Sequence, residues 1–164
     1  MIEIRRATPD EADKLTALAH AAKRHWNYPR EWIDSWASDL TITPEFIANN
    51  EVFVAIVDEA IAGCGALVTG ERLAELEHMW IYPEQMGRGV GRAIFEHVSR
   101  RAGDLGFSEL ELSADPNAEA FYERMGANRI GEVPADMFGQ VRVLPRMRVD
   151  LDRARSPHAL NSNL

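Results

Sequence analysis

Three glycines at alternate positions form the feature of the sequence that most directly suggests chemistry. Gly87, Gly89 and Gly91 lie between a strand-like run and a helix-like run, and we call residues 86–91 the glycine junction. The first turn of a helix presents unpaired backbone N–H groups and the positive end of the helix dipole, which attract phosphate. Glycine keeps side chains away from that backbone. Because Arg88 and Arg92 add positive charge, the junction predicts a phosphate or pyrophosphate site.

The spacing of these glycines separates the junction from two common phosphate-binding loops. The dinucleotide fingerprint requires G-x-G-x-x-G, whereas this sequence has G-x-G-x-G. The P-loop pattern G-x-x-x-x-G-K-S/T does not occur in the sequence. A glycine-rich turn that permits tight packing is the structural alternative, and the glycines alone leave it open.

Composition limits the class of protein. With 164 residues and 46% hydrophobic residues, the sequence predicts one globular domain. A formal charge of −8 argues against nucleic-acid or anionic-membrane partners, which require basic surface. No leader-like segment opens the sequence and no 18-residue apolar run occurs, so a cytoplasmic protein is expected. The single cysteine, Cys64, excludes an intramolecular disulfide and is expected to be buried, and the histidines show no metal spacing, so no metal is expected.

Apolar periodicity and capping residues predict a mixed α/β domain over residues 1–151, followed by a polar tail over 152–164 that is expected to fray. The predicted order is β-α-α-β-β-β-α-β-α-β-β, with a short third helix starting at Thr43. The predicted strands are Ile2–Arg6, Val52–Val57, Ile61–Val68, Glu75–Tyr82, Ser108–Ser113, Arg129–Val133 and Val141–Leu151. The longer predicted helices begin near Thr8 and Pro29 (the second to Leu40) and span Gly89–Ala102 and Asn117–Met125.

Two motifs resemble those of the GNAT superfamily of acyl-CoA-dependent N-acyltransferases. The junction Met86-Gly-Arg-Gly-Val-Gly91 is similar to the family's Gln/Arg-x-x-Gly-x-Gly/Ala, although Met86 stands where the family has Gln or Arg. The run from Asn117 through Phe121-Tyr122 to Gly126-Ala127 resembles the family's Asn-containing helix that ends in Gly-Phe. The resemblance extends over residues 2–151.

The resemblance implies the fold and the cofactor. It implies a single-domain GNAT fold, with a mostly antiparallel twisted sheet that splays between strands 4 and 5 and is flanked by helices. It also implies acetyl-CoA as acyl donor, although a longer acyl chain is not excluded. The residues that it implies for binding this cofactor are Met79, Trp80, Ile81, Met86, Gly87, Arg88, Gly89, Val90, Gly91, Arg92, Asn117 and Phe121.

The implied catalytic residues are two carboxylates and a phenol. An amine must lose a proton before it attacks a thioester, so the reaction needs a proton acceptor. Glu75 and Glu77 lie two apart on a predicted strand and should share one face. Family resemblance favours Glu77 as acceptor with Glu75 behind it, and Tyr122 as the acid that protonates the departing thiolate. Solvated carboxylates and a packed tyrosine are the structural alternatives.

The acceptor is expected to face the segment between the first two strands, where three of the four tryptophans fall within eleven residues. An aromatic pocket could bind a cationic amine through cation–π attraction. However, Tyr28, Trp32, Trp36 and Leu40 recur at steps of four, which indicates a packed helix face. The better pocket candidates are His25 and Trp26.

The sequence therefore predicts an N-acetyltransferase that acts on a small-molecule primary amine by direct attack in a ternary complex. A homodimer is compatible with this prediction. Two alternatives remain. One is a non-catalytic acyl-CoA-binding sensor or subunit, which would need neither the carboxylates nor Tyr122. The other is an acetyltransferase for protein N-termini or lysines.

Overall fold

The computed structural model describes residues 1–151, and the predicted frayed tail lies outside these described residues. Within them the chain forms seven strands and five α-helices. The strands are β1 (Glu3–Arg6), β2 (Glu51–Val57), β3 (Ala60–Thr69), β4 (Ala74–Ile81), β5 (Glu109–Ser113), β6 (Asn128–Met137) and β7 (Gln140–Asp150). The helices are α1 (Ala12–Arg24), α2 (Arg30–Ser35), α3 (Pro44–Asn49), α4 (Val90–Asp104) and α5 (Glu119–Arg124), with short 3-10 helices at Pro9–Glu11, Pro83–Gln85 and Pro116–Ala118.

The strands form one sheet in the order β1-β2-β3-β4-β5-β7-β6. Pairing is antiparallel between β1 and β2, β2 and β3, β5 and β7, and β6 and β7. Strands β4 and β5 pair in parallel, through Ala74 with Leu110 and Glu75 with Glu111. The predicted mixed α/β class and mostly antiparallel sheet are therefore confirmed, and the splay beyond Glu75 stays a prediction.

The contacts within the chain define two compact units. The first comprises Met1–Val68 and Leu76–Val98, and the second comprises Thr69–Glu75 and the described part of Ser99–Leu164. The core of the first unit includes Leu15 and Leu18 of α1 with Val52 and Val54 of β2. In the second unit, buried side chains pair across β5 and β7, as the register of Leu110 with Val149 and of Leu112 with Met147 shows. As predicted, Cys64 is buried, and burial raises the pKa of its thiol to about 12.

The start of α1 depends on one buried carboxylate. Glu11 accepts hydrogen bonds at 2.9 Å from the Thr8 backbone N–H and, in a two-pronged pair, from both terminal nitrogens of Arg5. The Arg5 hydrogen bonds, helped by those from Thr8, hold the pKa of Glu11 at about 2. Burial opposes this shift but is outweighed. Glu11 thus serves as a capping-box carboxylate and ties β1 to the helix that follows it.

Two predicted elements end several residues away from where the structure ends them, each for a local reason. The helix predicted from Pro29 to Leu40 ends at Ser35, whose hydroxyl donates to the Trp32 carbonyl at 2.6 Å. Serine side chains compete with the backbone in this way and favour turns. Strand β6 runs beyond the predicted Val133 and includes Pro134. Proline is tolerated there because β6 is an edge strand.

We predict that Glu11→Gln destabilises the protein by about 1–2 kcal/mol near pH 7, because it removes a charge-assisted pair whose Arg5 side is partly screened by solvent. Since the folded pKa of Glu11 is depressed, its contribution is present above the ordinary carboxyl pKa of 4.5 and is lost as pH falls toward about 2. Urea unfolding of wild type and variant at several pH values measures this difference. Glu3→Gln, on the exposed side of β1, is the control. If the difference in unfolding free energy between wild type and Glu11→Gln did not become smaller at low pH, the prediction would be contradicted.

Candidate active site

Strand β4 carries most of the predicted site residues and contains an unusual backbone conformation. His78, in the middle of the strand, has a φ of 51°. A non-glycine residue in this left-handed region is uncommon and costs free energy, which the surrounding structure must offset. The alternation between buried and half-buried residues along β4 stops at this point, and every residue from Glu77 to Ile81 is half-buried. The strand therefore does not present its second half as a regular pleat.

Neighbouring side chains fix His78 in this conformation. The Trp80 indole N–H donates to His78 Nδ1 at 3.2 Å, which places the ring proton on Nε2. The Cys64 thiol donates to the His78 carbonyl at 3.3 Å, and the Phe46 ring contacts the imidazole edge-on at 5.2 Å. Burial lowers the pKa of His78, and the charge of Asp39 opposes this only in part. His78 is thus a neutral hydrogen-bond acceptor at Nδ1.

His78 was not predicted as a special residue, because its conformation depends on contacts with residues distant in the chain. The only local indication is its position between the predicted proton acceptor Glu77 and the predicted cofactor-binding residues Met79, Trp80 and Ile81.

The glycine junction has a left-handed backbone conformation at two of its glycines. Gly87 and Gly89 have φ values of 76° and 84°, and α4 begins at Val90. A Cβ atom added at either glycine would have no neighbour within 4 Å. Both residues are exposed, so backbone conformation rather than tight packing accounts for glycine at these two positions. The alternative of a tightly packed turn is therefore not supported there.

The side chains around the junction are placed as follows. Met86 and Gly91 are half-buried, Val90 is buried, and Arg88 and Arg92 are exposed. Arg92 donates to Glu96 at 3.1 Å, one turn further along α4. The junction therefore combines an exposed helix N-terminus with an exposed cationic side chain at Arg88.

Close packing within the first unit holds the end of β4 against β3. A Cβ atom at Gly63 would lie 2.7 Å from the Ile81 side chain and 2.9 Å from the Trp80 carbonyl oxygen. The Tyr82 backbone N–H donates to the Ala62 carbonyl at 3.0 Å. The strand that leads into the glycine junction is thus fixed by a close backbone approach that only glycine permits.

Tyr122, the predicted acid, is buried on α5 in the second unit. Burial, and secondarily the negative charge of Asp115, raises the pKa of its phenol well above the usual range. The phenol therefore stays protonated at physiological pH and could donate a proton. Its ring contacts Phe121 edge-to-face at 5.1 Å.

Asp115 accepts two hydrogen bonds from Asn117, which is predicted to bind the cofactor. One oxygen of Asp115 accepts from the Asn117 backbone N–H at 2.9 Å and from its side-chain amide at 3.0 Å. The other accepts from Arg142 at 2.8 Å. This network fixes the orientation of the Asn117 amide. Arg142 escaped prediction because its pairing with Asp115 links positions 27 apart in the sequence.

Glu75, the second predicted carboxylate, is paired with a cation in the second unit. Arg146 on β7 donates to Glu75 at 2.8 Å and also to Glu111 at 3.3 Å and Ser113 at 3.1 Å. Glu75 is therefore engaged in a charge-assisted hydrogen bond with Arg146. Arg146 was not predicted, although acidic residues alternate along β5 and basic residues along β7.

The tryptophan-rich part of the chain between β1 and β2 differs in part from the prediction. Leu40 is buried, but Tyr28, Trp32 and Trp36 are half-buried and pack on one another, with ring centroids 5.2–6.1 Å apart. The predicted pocket residues His25 and Trp26 follow α1, and both are exposed. Their rings contact each other at 4.8 Å.

Residues 1–151 contain no group of three or more His, Cys, Asp or Glu side chains that could hold a metal ion. No helix in this range is both long and apolar enough to cross a membrane.

Comparisons with known proteins agree with the geometry. A family model described as an acetyltransferase (GNAT) domain matches residues 48–126, a range that contains the glycine junction and Tyr122. The peptidyl-lysine N-acetyltransferase YjaB of Salmonella typhimurium is 26% identical over 142 residues, which cover 85% of this chain and 92% of that protein.

Solved structures show the same fold. A GCN5-related N-acetyltransferase from Rhodopseudomonas palustris has a TM-score of 0.76 at 19% identity, covering 90% of this chain and 94% of its own. The PaiA N-acetyltransferase from Thermoplasma acidophilum, solved in complex with coenzyme A, has a TM-score of 0.74 at 19% identity, covering 92% and 99%. With the match to the family model over residues 48–126, these likenesses lead to one conclusion: the chain has the fold of the GNAT N-acetyltransferases.

Proposed function

We propose that this protein transfers the acetyl group of acetyl-CoA to a primary amine by direct attack within a ternary complex. The observation that carries the proposal is the glycine junction, where Gly87 and Gly89 adopt positive φ values, stand open to solvent and lead into the N-terminus of a fifteen-residue helix. Such a terminus favours a pyrophosphate group. That the PaiA relative was solved with coenzyme A supports this choice of donor.

The proposed cofactor site uses mainly backbone groups. The N–H groups of residues 86–92 would bind the pyrophosphate, and Arg88 would add charge. The backbone of Met79, Trp80 and Ile81 would bind the pantetheine arm and the thioester carbonyl, where fixed N–H donors stabilise the oxyanion that develops on attack. The left-handed conformation of His78 supports this role, since it interrupts the regular pleat just before those residues. Asn117 and Phe121 would contact the pantetheine.

Glu77 is the proposed first acceptor of the amine proton. An amine with a pKa of about 10.4 is almost entirely protonated near pH 7, so attack requires a proton sink. Glu77 is half-buried on β4, one residue before the strained His78. Glu75 would act behind it, where Arg146 stabilises its negative charge.

Tyr122 is the proposed acid that protonates the departing thiolate. Burial keeps its phenol protonated, as this role requires. Coenzyme A is a tolerable leaving group, so we expect the contribution of Tyr122 to be modest.

For the acceptor we favour a small primary amine that contacts His25 and Trp26. A specific observation favours a second candidate, a lysine side chain of a protein, because the YjaB relative carries the name peptidyl-lysine N-acetyltransferase. Thiol release measured with polyamines and amino acids on one side, and with lysine-containing and free N-terminal peptides on the other, would separate the two.

Gly89→Val is expected to weaken acetyl-CoA binding by about 100-fold or more, because the side chain would strain the turn and cover its N–H groups. Calorimetric titration measures this loss. The matched control is Gly139→Val, since Gly139 has a φ of 85° and equally open surroundings in the β6–β7 turn. It should bind acetyl-CoA within about threefold of wild type. Equal affinities of the two variants would contradict the phosphate-site assignment.

Glu77→Gln is expected to lower kcat/KM by about 100-fold or more, with the largest loss at low pH, where the amine is hardest to deprotonate. The measurement is a pH–rate profile with the best amine of the panel. Glu75→Gln is the comparison and should lose less. If the Glu77→Gln loss were uniform across pH, Glu77 would have a binding or structural role instead.

Tyr122→Phe is expected to lower kcat by about tenfold while acetyl-CoA affinity stays unchanged, since the phenyl ring keeps the packing of the aromatic ring and removes the proton donor. Steady-state kinetics and calorimetry give the two quantities. The control for a lost hydroxyl is Tyr82→Phe, because Tyr82 also packs against a core, that of the first unit. An unchanged kcat would remove Tyr122 from the mechanism.

A further inference from the structure

Lys23 is a buried cation that the proposed mechanism does not use. It lies in the last turn of α1 and is only 7% exposed, although lysine is rarely buried without a partner. Its ammonium nitrogen lies 4.4 Å from the ring centre of Trp36, 5.1 Å from that of Tyr28 and 5.9 Å from that of Trp80. All three distances fall within the range of cation–π attraction, which strengthens when the cation is desolvated. We call these three rings the aromatic box.

The aromatic box joins two distant parts of the first unit. Tyr28 and Trp36 belong to residues 27–39, which we call the aromatic segment, whereas Trp80 belongs to β4. The helix within the aromatic segment, α2, contains no fully buried residue. The segment therefore has little core packing of its own, and the Lys23 ammonium, over the rings of Tyr28, Trp36 and Trp80, links it to β4.

The β4 side of this link is itself fixed. The Trp80 indole donates to His78, whose left-handed backbone stands next to the residues proposed to bind the thioester. The position of the aromatic segment is thus tied, through one ammonium group and one indole ring, to the strand on which the reaction is proposed to occur.

We propose that Lys23 is a positioning and specificity-determining residue. Its ammonium fills the aromatic box, holds the aromatic segment on β4, and excludes the acceptor's own cation from the three rings. This inference rests on the proposed function, in which the acceptor faces this part of the chain. The acceptor amine must then be recognised outside the box, which leaves His25 and Trp26 as the aromatic groups offered to it.

The first test is hydrogen exchange of the aromatic segment, measured by mass spectrometry on the full chain. Lys23→Met, which keeps the aliphatic stem and removes the charge, is expected to speed exchange of residues 27–39 by about tenfold or more. Lys23→Arg retains a cation and should remain within about threefold of wild type. If residues 27–39 exchanged as slowly in Lys23→Met as in the wild type, the proposal would be overturned.

A double-variant cycle shows whether the ammonium acts through the rings. If it does, Lys23→Met combined with Trp36→Leu should exchange little faster than the faster single variant, because both changes remove the same interaction. Independent effects, in which the two increases multiply, would overturn the proposal.

A second measurement examines whether the box is occupied, using tetramethylammonium as the probe. In NMR spectra of the wild-type protein, we expect no contacts between the probe's methyl protons and the indole protons of Trp36 or Trp80. In Lys23→Ala, which empties the box, such contacts should appear. Contacts in the wild type, or their absence in both proteins, would overturn the proposal.

Failure of the proposed function would be visible separately. The wild type and the Lys23 variants should bind acetyl-CoA with affinities within about threefold of one another, since Lys23 contacts the Trp80 ring whereas the cofactor is proposed to use only the Trp80 backbone. A wild type that does not bind acetyl-CoA would refute the proposed function and leave the exchange and NMR results to decide the role of Lys23.

Discussion

The structure depends on the backbone conformation of the short connection between β4 and α4. Gly87 and Gly89 take positive φ values without any steric requirement from neighbouring side chains. Their conformation ends the strand and begins a long helix with its N–H groups exposed. An L-residue with a side chain would resist this conformation and cover the groups that attract an anion. The proposed cofactor site therefore follows from a backbone constraint, and for this reason the departure at Met86 does not disable it.

Charge neutralisation by neighbours determines what each polar side chain of the site can do. Arg146 pairs with Glu75, whereas Asp115 pairs with Arg142 and orients Asn117. Burial keeps Tyr122 protonated and His78 neutral, which leaves the first able to donate a hydrogen bond and the second able to accept one. Lys23 is buried, and aromatic rings stabilise its charge. In a chain of net charge −8, these buried or half-buried cations each have a defined partner, and each partner constrains a different part of the candidate site.

Local patterns predicted the elements of the fold well, because the features that set them are local. Thr8-Pro9 and Thr43-Pro44 mark the starts of helical segments, and Thr43 accepts a hydrogen bond from the Phe46 N–H as a cap should. The helix predicted to reach Leu40 was wrong beyond Ser35, whereas the short third helix predicted to start at Thr43 is confirmed as α3. The glycine junction was predictable because its chemistry lies in the backbone. The strain at His78, the Arg146 pair and the Lys23 contacts were not, because each joins residues that only the fold brings together.

The central claim is that the glycine junction binds the pyrophosphate of acetyl-CoA. Calorimetric titration of the wild-type protein with acetyl-CoA, with dephospho-CoA and ATP as comparison ligands, tests it most directly. The account predicts saturable binding of acetyl-CoA at one site per chain, and weaker binding of ATP, which has phosphates but no pantetheine arm. Absence of acetyl-CoA binding, or equal binding of ATP, would contradict it.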